Sequence, residues 1–140
     1  QRVSKLVWKS MATGDGLQLV RYRPGDGFGG HVDRSGVEDP TSGDIVVTVM
    51  VYLNDMEGSE AGGTTSYPMA QPEPVVVRPK LGTAVVWFSC TTEGLTDKLS
   101  YHRGRQVLKG EKWILNKFVY GTVDRCSWSP KFPKEIKYVL

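Results

Sequence analysis

The stretch "IVVTVMVYL", residues 45–53, is almost entirely apolar and rich in β-branched side chains. A run of this kind reads as a strand buried on both faces. The flanking sequence supports a strand-rich body. "GLQLVRYR" (16–23) opens it, and "WILNKFVYG" (113–121) is the last clear strand. "PVVVRP" (74–79) and "TAVVWF" (83–88) lie on either side of "KLG", which predicts a hairpin. Trp87 and Phe88 in the second of these are expected in the core. Before the strands, "QRVSKLVWKSM" (1–11) spaces Val3, Leu6, Val7 and Met11 as on one face of a short amphipathic helix. Several short strands with one helix predict a mainly β protein, an antiparallel sandwich or barrel with a jelly roll among the candidates.

Composition bounds the rest. A chain of 140 residues with 39% hydrophobic content suits one domain with a sizeable core. The 16 glycines and 8 prolines are scattered, as expected for strands joined by turns. No apolar run approaches the roughly 20 residues of a membrane span. The chain begins at Gln1, so residues 1–140 are expected to be one N-terminally truncated domain. The net charge of +3 is unevenly spread: residues 1–101 hold 9 basic and 12 acidic groups, and residues 102–140 hold 9 and 3. The basic C-terminal third could attract an anion or an acidic partner, although a solvated face is the plainer reading. Cys90 and Cys126 form no Cys-x-x-Cys, and the sequence leaves their pairing and compartment open. Two polar, glycine-bearing loops, "DRSGVEDPTSGD" (33–44) and "NDMEGSEAGG" (54–63), are candidate lids.

The chain has only two histidines, His31 in "GFGGHVDRSG" and His102 in "LSYHRGRQV". On a strand, His31 and Asp33 would project side by side. With His102 they make two imidazoles and one carboxylate, the facial set of non-haem Fe(II) oxygenases. Zinc in a hydrolase could use the same ligands, so residue types alone do not name the reaction.

The surrounding residues do. "LQLVRYRPGDGFGGHVD", "VVTVMVYLND", "GGTTSYP", "VVVRPKLGTAVVWF" and "YHRGRQVLKGEKWILNKFVY" are collinear and, over about residues 17–120, resemble collagen-type prolyl 4-hydroxylases. These belong to the 2-oxoglutarate- and Fe(II)-dependent dioxygenases. The resemblance implies a double-stranded β-helix, a distorted jelly roll. It implies iron held by His31, Asp33 and His102, and 2-oxoglutarate held at its far carboxylate by Lys112. Tyr22 and Thr65 match positions that reach the same cosubstrate. A Lys112 ammonium buried in a barrel would need such an anion to keep its charge. Thr48 and Tyr52 share the inward face of the long strand and could line the pocket, with core packing the plainer reading of each. Gly29 and Gly30 would allow close approach beside His31.

The implied reaction hydroxylates proline at C4 in a peptide or protein, consumes O₂ and 2-oxoglutarate, and releases succinate and CO₂, with ascorbate as reductant. Four positions depart from the family pattern. Ile45 stands where many members place an Arg near the peptide, and Thr64 replaces a Glu. Arg105-Gln106 replaces a residue and proline, and Phe118 stands where Trp is common. None touches the iron set, but Ile45 weakens the inference to peptidyl proline. The alternatives are a dioxygenase acting on a lysyl side chain or a free amino acid, and a non-catalytic β-barrel binding module. No strand-tracking basic groove points to nucleic acid. The resemblance suits either the lumen of the secretory pathway or the cytoplasm.

Overall fold

The computed structural model describes residues 15–35, 43–121 and the backbone of 137–139. Two antiparallel sheets face each other. The strands, in chain order, are β1 (Gln18–Tyr22), β2 (Phe28–His31), β3 (Asp44–Tyr52), β4 (Thr65–Tyr67), β5 (Val75–Val77), β6 (Ala84–Phe88), β7 (His102–Gly104), β8 (Lys112–Gly121) and β9 (Lys137–Val139). The larger sheet runs β1-β8-β3-β6-β9, and the smaller runs β2-β7-β4-β5. Successive strands alternate between sheets often enough to give the jelly-roll arrangement that the strand pattern predicts.

β3 sits at the centre of the larger sheet, and its sequence explains why. Val47 and Val49 pack on one face with Val86 and Val119, while Met50 and Tyr52 pack on the other with Val85, Trp87 and Ile114. Each fully buried aliphatic side chain contributes about 1.5–3 kcal/mol. A strand with apolar residues on both faces can therefore occupy only an interior position. Tyr67 from β4 joins the second cluster, so this cluster is the layer between the sheets. Cys90 packs with the first cluster and is disulfide-bonded.

The expected hairpin of 74–79 and 83–88 does not form. β5 pairs with β4 in the small sheet, whereas β6 pairs with β3 and β9 in the large one. The intervening turn is drawn to a third segment instead. Gly82 N–H donates to the Tyr52 carbonyl, Tyr52 N–H donates to the Thr83 carbonyl, and Leu81 N–H donates to the Asp55 carboxylate. Pro79, which has no N–H to offer a ladder, lies at the crossing. β9 is a strand beyond the last one legible in the sequence. The predicted helix over 1–11, most of the 33–44 loop and Cys126 lie outside the described residues. The 54–63 loop is not a free flap. The Ala61 carbonyl accepts from Leu108 and Lys109 N–H, and Gly63 N–H donates to the Gln106 carbonyl.

Candidate active site

His31 ends β2, and His102 opens β7, its cross-strand partner. Register between these strands slips: Phe28 faces Gly104 and His31 faces His102, so Gly29 and Gly30 together oppose Arg103. This bulge turns His31 toward His102, with ring centroids 4.3 Å apart. Gly30 leaves room for the Tyr101 ring, since a Cβ at this position would stand 1.9 Å from its hydroxyl and would have to displace it. Asp33 lies past the end of β2, so strand alternation does not bring it beside His31 as the sequence suggests. Bonds to its carboxylate do. Its Oδ2 accepts from Thr48 Oγ1 at 2.5 Å and from Trp87 Nε1 at 2.9 Å. Thr48 and Trp87 are themselves cross-strand partners on β3 and β6. The wall of the larger sheet therefore fixes the carboxylate.

With Oδ2 so engaged, Oδ1 faces the imidazoles, 3.2 Å from His31 Nε2 and 3.7 Å from His102 Nε2. Each histidine's Nδ1 lies 2.9 Å from a carbonyl oxygen, Gly29 for His31 and Ser100 for His102. A carbonyl only accepts, so Nδ1 carries the proton, and the lone pair of the neutral ring is at Nε2. Three donor atoms thus converge, all within 4.8 Å of one another. Three donors about 2.1 Å from one ion stand roughly 3.0 Å apart at right angles and 3.4 Å at tetrahedral angles. The 3.2 Å spacing matches adjacent positions on one ion, and the 3.7 Å spacing is a few tenths of an ångström wider. Two nitrogens and one oxygen suit Fe(II), which His31, Asp33 and His102 would hold while leaving coordination positions for other ligands.

The electrostatics are those of a cation site. Burial pushes the Asp33 carboxyl up, but its contact with His31, its nearness to His102 and the Thr48 hydroxyl outweigh it and hold it below its ordinary value. The hydrogen bond to Asp33 raises His31, whereas burial lowers His102, which keeps that ring neutral and ready to ligate. The His102 ring is wedged between Trp87, at 4.7 Å, and Tyr67, stacked at 5.4 Å.

Lys112 lies further along β7, beside Gly104. It opens β8 opposite Tyr22 of β1, and only 1% of its surface is exposed. Its neighbour Glu111 does not pair with it but bonds the Arg21 guanidinium outside. The Lys112 ammonium lies over the Tyr22 ring, 4.3 Å from its centroid, and beside Gly104, where a Cβ would stand 3.4 Å from Nζ. Among the described residues no carboxylate reaches it. Burial therefore depresses its pKa from 10.5 to about 8. Thr65 is paired with Gly104, is buried and accepts from Tyr52 Oη at 2.8 Å, leaving its own hydroxyl proton to donate. Gly104 follows His102 by two residues on β7, so the ammonium sits about one strand dipeptide, roughly 6.6 Å, along from that ligand. The structure thus brings together His31, Asp33 and His102 at one end, and Tyr22, Thr65 and Lys112 at the other.

Two residues at the site carry more than the sequence indicates. Trp87 reads as core and Thr48 as core or pocket lining, yet both bind the Asp33 carboxylate. The available signal was a hydroxyl and an indole N–H on the inward face of otherwise aliphatic strands, where a buried donor needs an acceptor.

Comparison with known proteins agrees with this geometry. Residues 17–120 match the family model described as the 2OG-Fe(II) oxygenase superfamily. The chain is 30% identical over 137 residues to a probable prolyl 4-hydroxylase 10 of Arabidopsis thaliana, covering 85% of this chain and 46% of that protein. It is 30% identical over 125 residues to the human prolyl 4-hydroxylase subunit alpha-1, covering 85% of this chain and 22% of that subunit. The chain thus spans less than half the length of these curated relatives. In structure it resembles the viral collagen prolyl hydroxylase of Paramecium bursaria Chlorella virus-1, solved as a 2OG complex. That match has a TM-score of 0.66 and 24% identity, and it covers 86% of this chain and 69% of the viral one. The double sheet, the convergent donor atoms and the family match together place the chain in the 2OG-Fe(II) oxygenase superfamily.

Proposed function

We propose that the protein hydroxylates a proline, at C4, in a peptide or protein substrate. The observation that carries this reading is a convergent three-donor set together with a buried, anion-seeking lysine beside the same strand β7. Fe(II) with bound 2-oxoglutarate supplies the O₂-dependent chemistry that inserts oxygen into a C–H bond, with succinate and CO₂ released and ascorbate as reductant.

The chain's own residues supply placement. His31 and His102 offer Nε2, and Asp33 offers Oδ1, on one face of the ion. Thr48 and Trp87 hold the carboxylate against rotation, so that Oδ1 stays aimed at the metal. Lys112 and Thr65 receive the far carboxylate of the cosubstrate, and a five-carbon diacid can bridge from there to the metal face. Tyr22 supports the ammonium through its ring. The apolar layer of Met50, Tyr52, Val85 and Ile114 keeps water from the pocket floor, which strengthens each of these charge interactions.

The test incubates the protein with Fe(II), ascorbate, 2-oxoglutarate and a panel of proline- and lysine-containing peptides, and measures succinate and peptide mass. A gain of one oxygen on proline is expected. A gain on lysine alone, or succinate without peptide oxidation across the panel, overturns the proline assignment.

A further inference from the structure

On the outward face of the small sheet, three arginines stand without a carboxylate partner among the described residues. Arg103, Ser66 and Val76 form one outward row across β7, β4 and β5. Arg105, Thr64 and Arg78 form the next: Arg105 N–H donates to the Thr64 carbonyl, and Arg78 directly follows β5. All three arginines are exposed. Arg103 Nε donates to Ser66 Oγ at 3.2 Å, and among the described residues none of the three guanidiniums has an ion pair. They line an open groove of about 820 Å³ that contains no acidic residue. The adjoining groove, across the 54–63 loop, has the opposite character: Asp55, Glu57, Glu60 and Glu111 line it, with Lys109 as its only cation.

The basic groove leads to the iron site. Phe28 lines it, is 55% exposed, and stands edge-on to His31 with centroids 4.5 Å apart. Gly29, between them, has open space where a Cβ would be, so a passing chain can lie close to the backbone.

We propose that this groove docks an acidic segment of the polypeptide substrate, next to the residue presented to the iron. The inference rests on the reading of the site as a peptide hydroxylase. Charge complementarity selects the occupant. Three guanidiniums without counter-ions favour carboxylates, and the acidic groove alongside repels the same segment and so fixes its path. Exposed Val76 and Leu108 among the arginines suit side chains of a peptide. A nucleic acid would need a longer cationic track with stacking aromatics.

Binding is measured directly, so that it does not depend on turnover. Short fluorescent proline-containing peptides, identical except for flanking Glu, Gln or Lys, are titrated anaerobically into the full chain with Fe(II) and 2-oxoglutarate. The Glu-flanked peptide is expected to bind about tenfold tighter than the Gln-flanked one, the scale of two exposed ion pairs. The Lys-flanked peptide is expected to bind weakest. The double variant Arg78→Ala, Arg105→Ala should lose the preference, and Arg78→Glu, Arg105→Glu should reverse it. Retained metal binding and uncoupled 2-oxoglutarate turnover confirm that these variants are folded. Equal binding of the three peptides, a preference that survives both double variants, or tighter binding of a short RNA than of the acidic peptide would each overturn the proposal. Acidic peptide that docks as expected, yet gains no oxygen in air, supports the groove and counts against the hydroxylase reading instead.

Discussion

The two ends of the pocket solve opposite electrostatic problems. At the metal end the donor atoms are oriented by their neighbours. Both Nδ1 atoms reach carbonyls and Asp33 Oδ2 takes two donors, so that Nε2, Nε2 and Oδ1 face one another. At the other end Lys112 is buried against an aromatic face, with no counter-charge among the described residues. The first end is organised in advance and loses little on receiving an ion. The second holds a charge in deficit, and an arriving carboxylate relieves it. A site built this way favours a ligand that is a metal chelator at one end and an anion at the other.

The largest effect should come from removing a converging donor. Asp33→Ala is expected to lower metal affinity by more than about 100-fold, beyond the range of a residue that merely orients a ligand. Calorimetric titration with Fe(II) or Co(II) reads this, and wild-type affinity would remove Asp33 from the site. Trp87→Phe and Thr48→Val should each cost about 10–100-fold in metal affinity while the fold persists. If both leave affinity unchanged, the carboxylate is fixed by something other than the sheet wall.

Lys112→Met separates the two ends. Metal should still bind, while the 2-oxoglutarate requirement rises at least about tenfold, the worth of a buried charge-assisted hydrogen bond. Without ligand, the same variant should be more stable at pH 7 by up to ~3 kcal/mol, because it removes an ammonium whose pKa is depressed. A destabilised variant would show that the ammonium already has its counter-charge. The same depression sets a pH dependence. The folded chain holds the Lys112 proton more weakly than the unfolded chain does, so between pH 8 and 10.5 the unfolded state binds more protons. Stability of the ligand-free protein should therefore rise with pH across that window, as read from urea unfolding, and 2-oxoglutarate should flatten the rise. The smallest effect should be that of Tyr22→Leu, which loses a cation–π contact of about 0.5–2 kcal/mol and changes cosubstrate affinity by no more than some tenfold.

Legibility followed the range of the interaction. Residues 45–53 declare a two-sided strand through their own side chains, and the larger sheet forms around them. The 74–88 hairpin failed because local apolar runs cannot say which neighbour satisfies Gly82 and Leu81; Tyr52 and Asp55 do. His31 and Asp33 were legible as a pair through spacing. The reason they meet was not, since Asp33 is beyond the strand and is held by Thr48 and Trp87.

By itself, then, the sequence determined the strand-rich class, because composition and alternation are properties of the chain, and the resemblance of its collinear motifs pointed to His31, Asp33, His102 and Lys112. Only the tertiary structure decided which carboxylate oxygen and which imidazole nitrogens are left for a metal. It also decided that Lys112 is buried with no counter-charge among the described residues, and that three arginines share one outward face. Those outcomes depend on cross-strand register, which is set by packing between segments far apart in sequence.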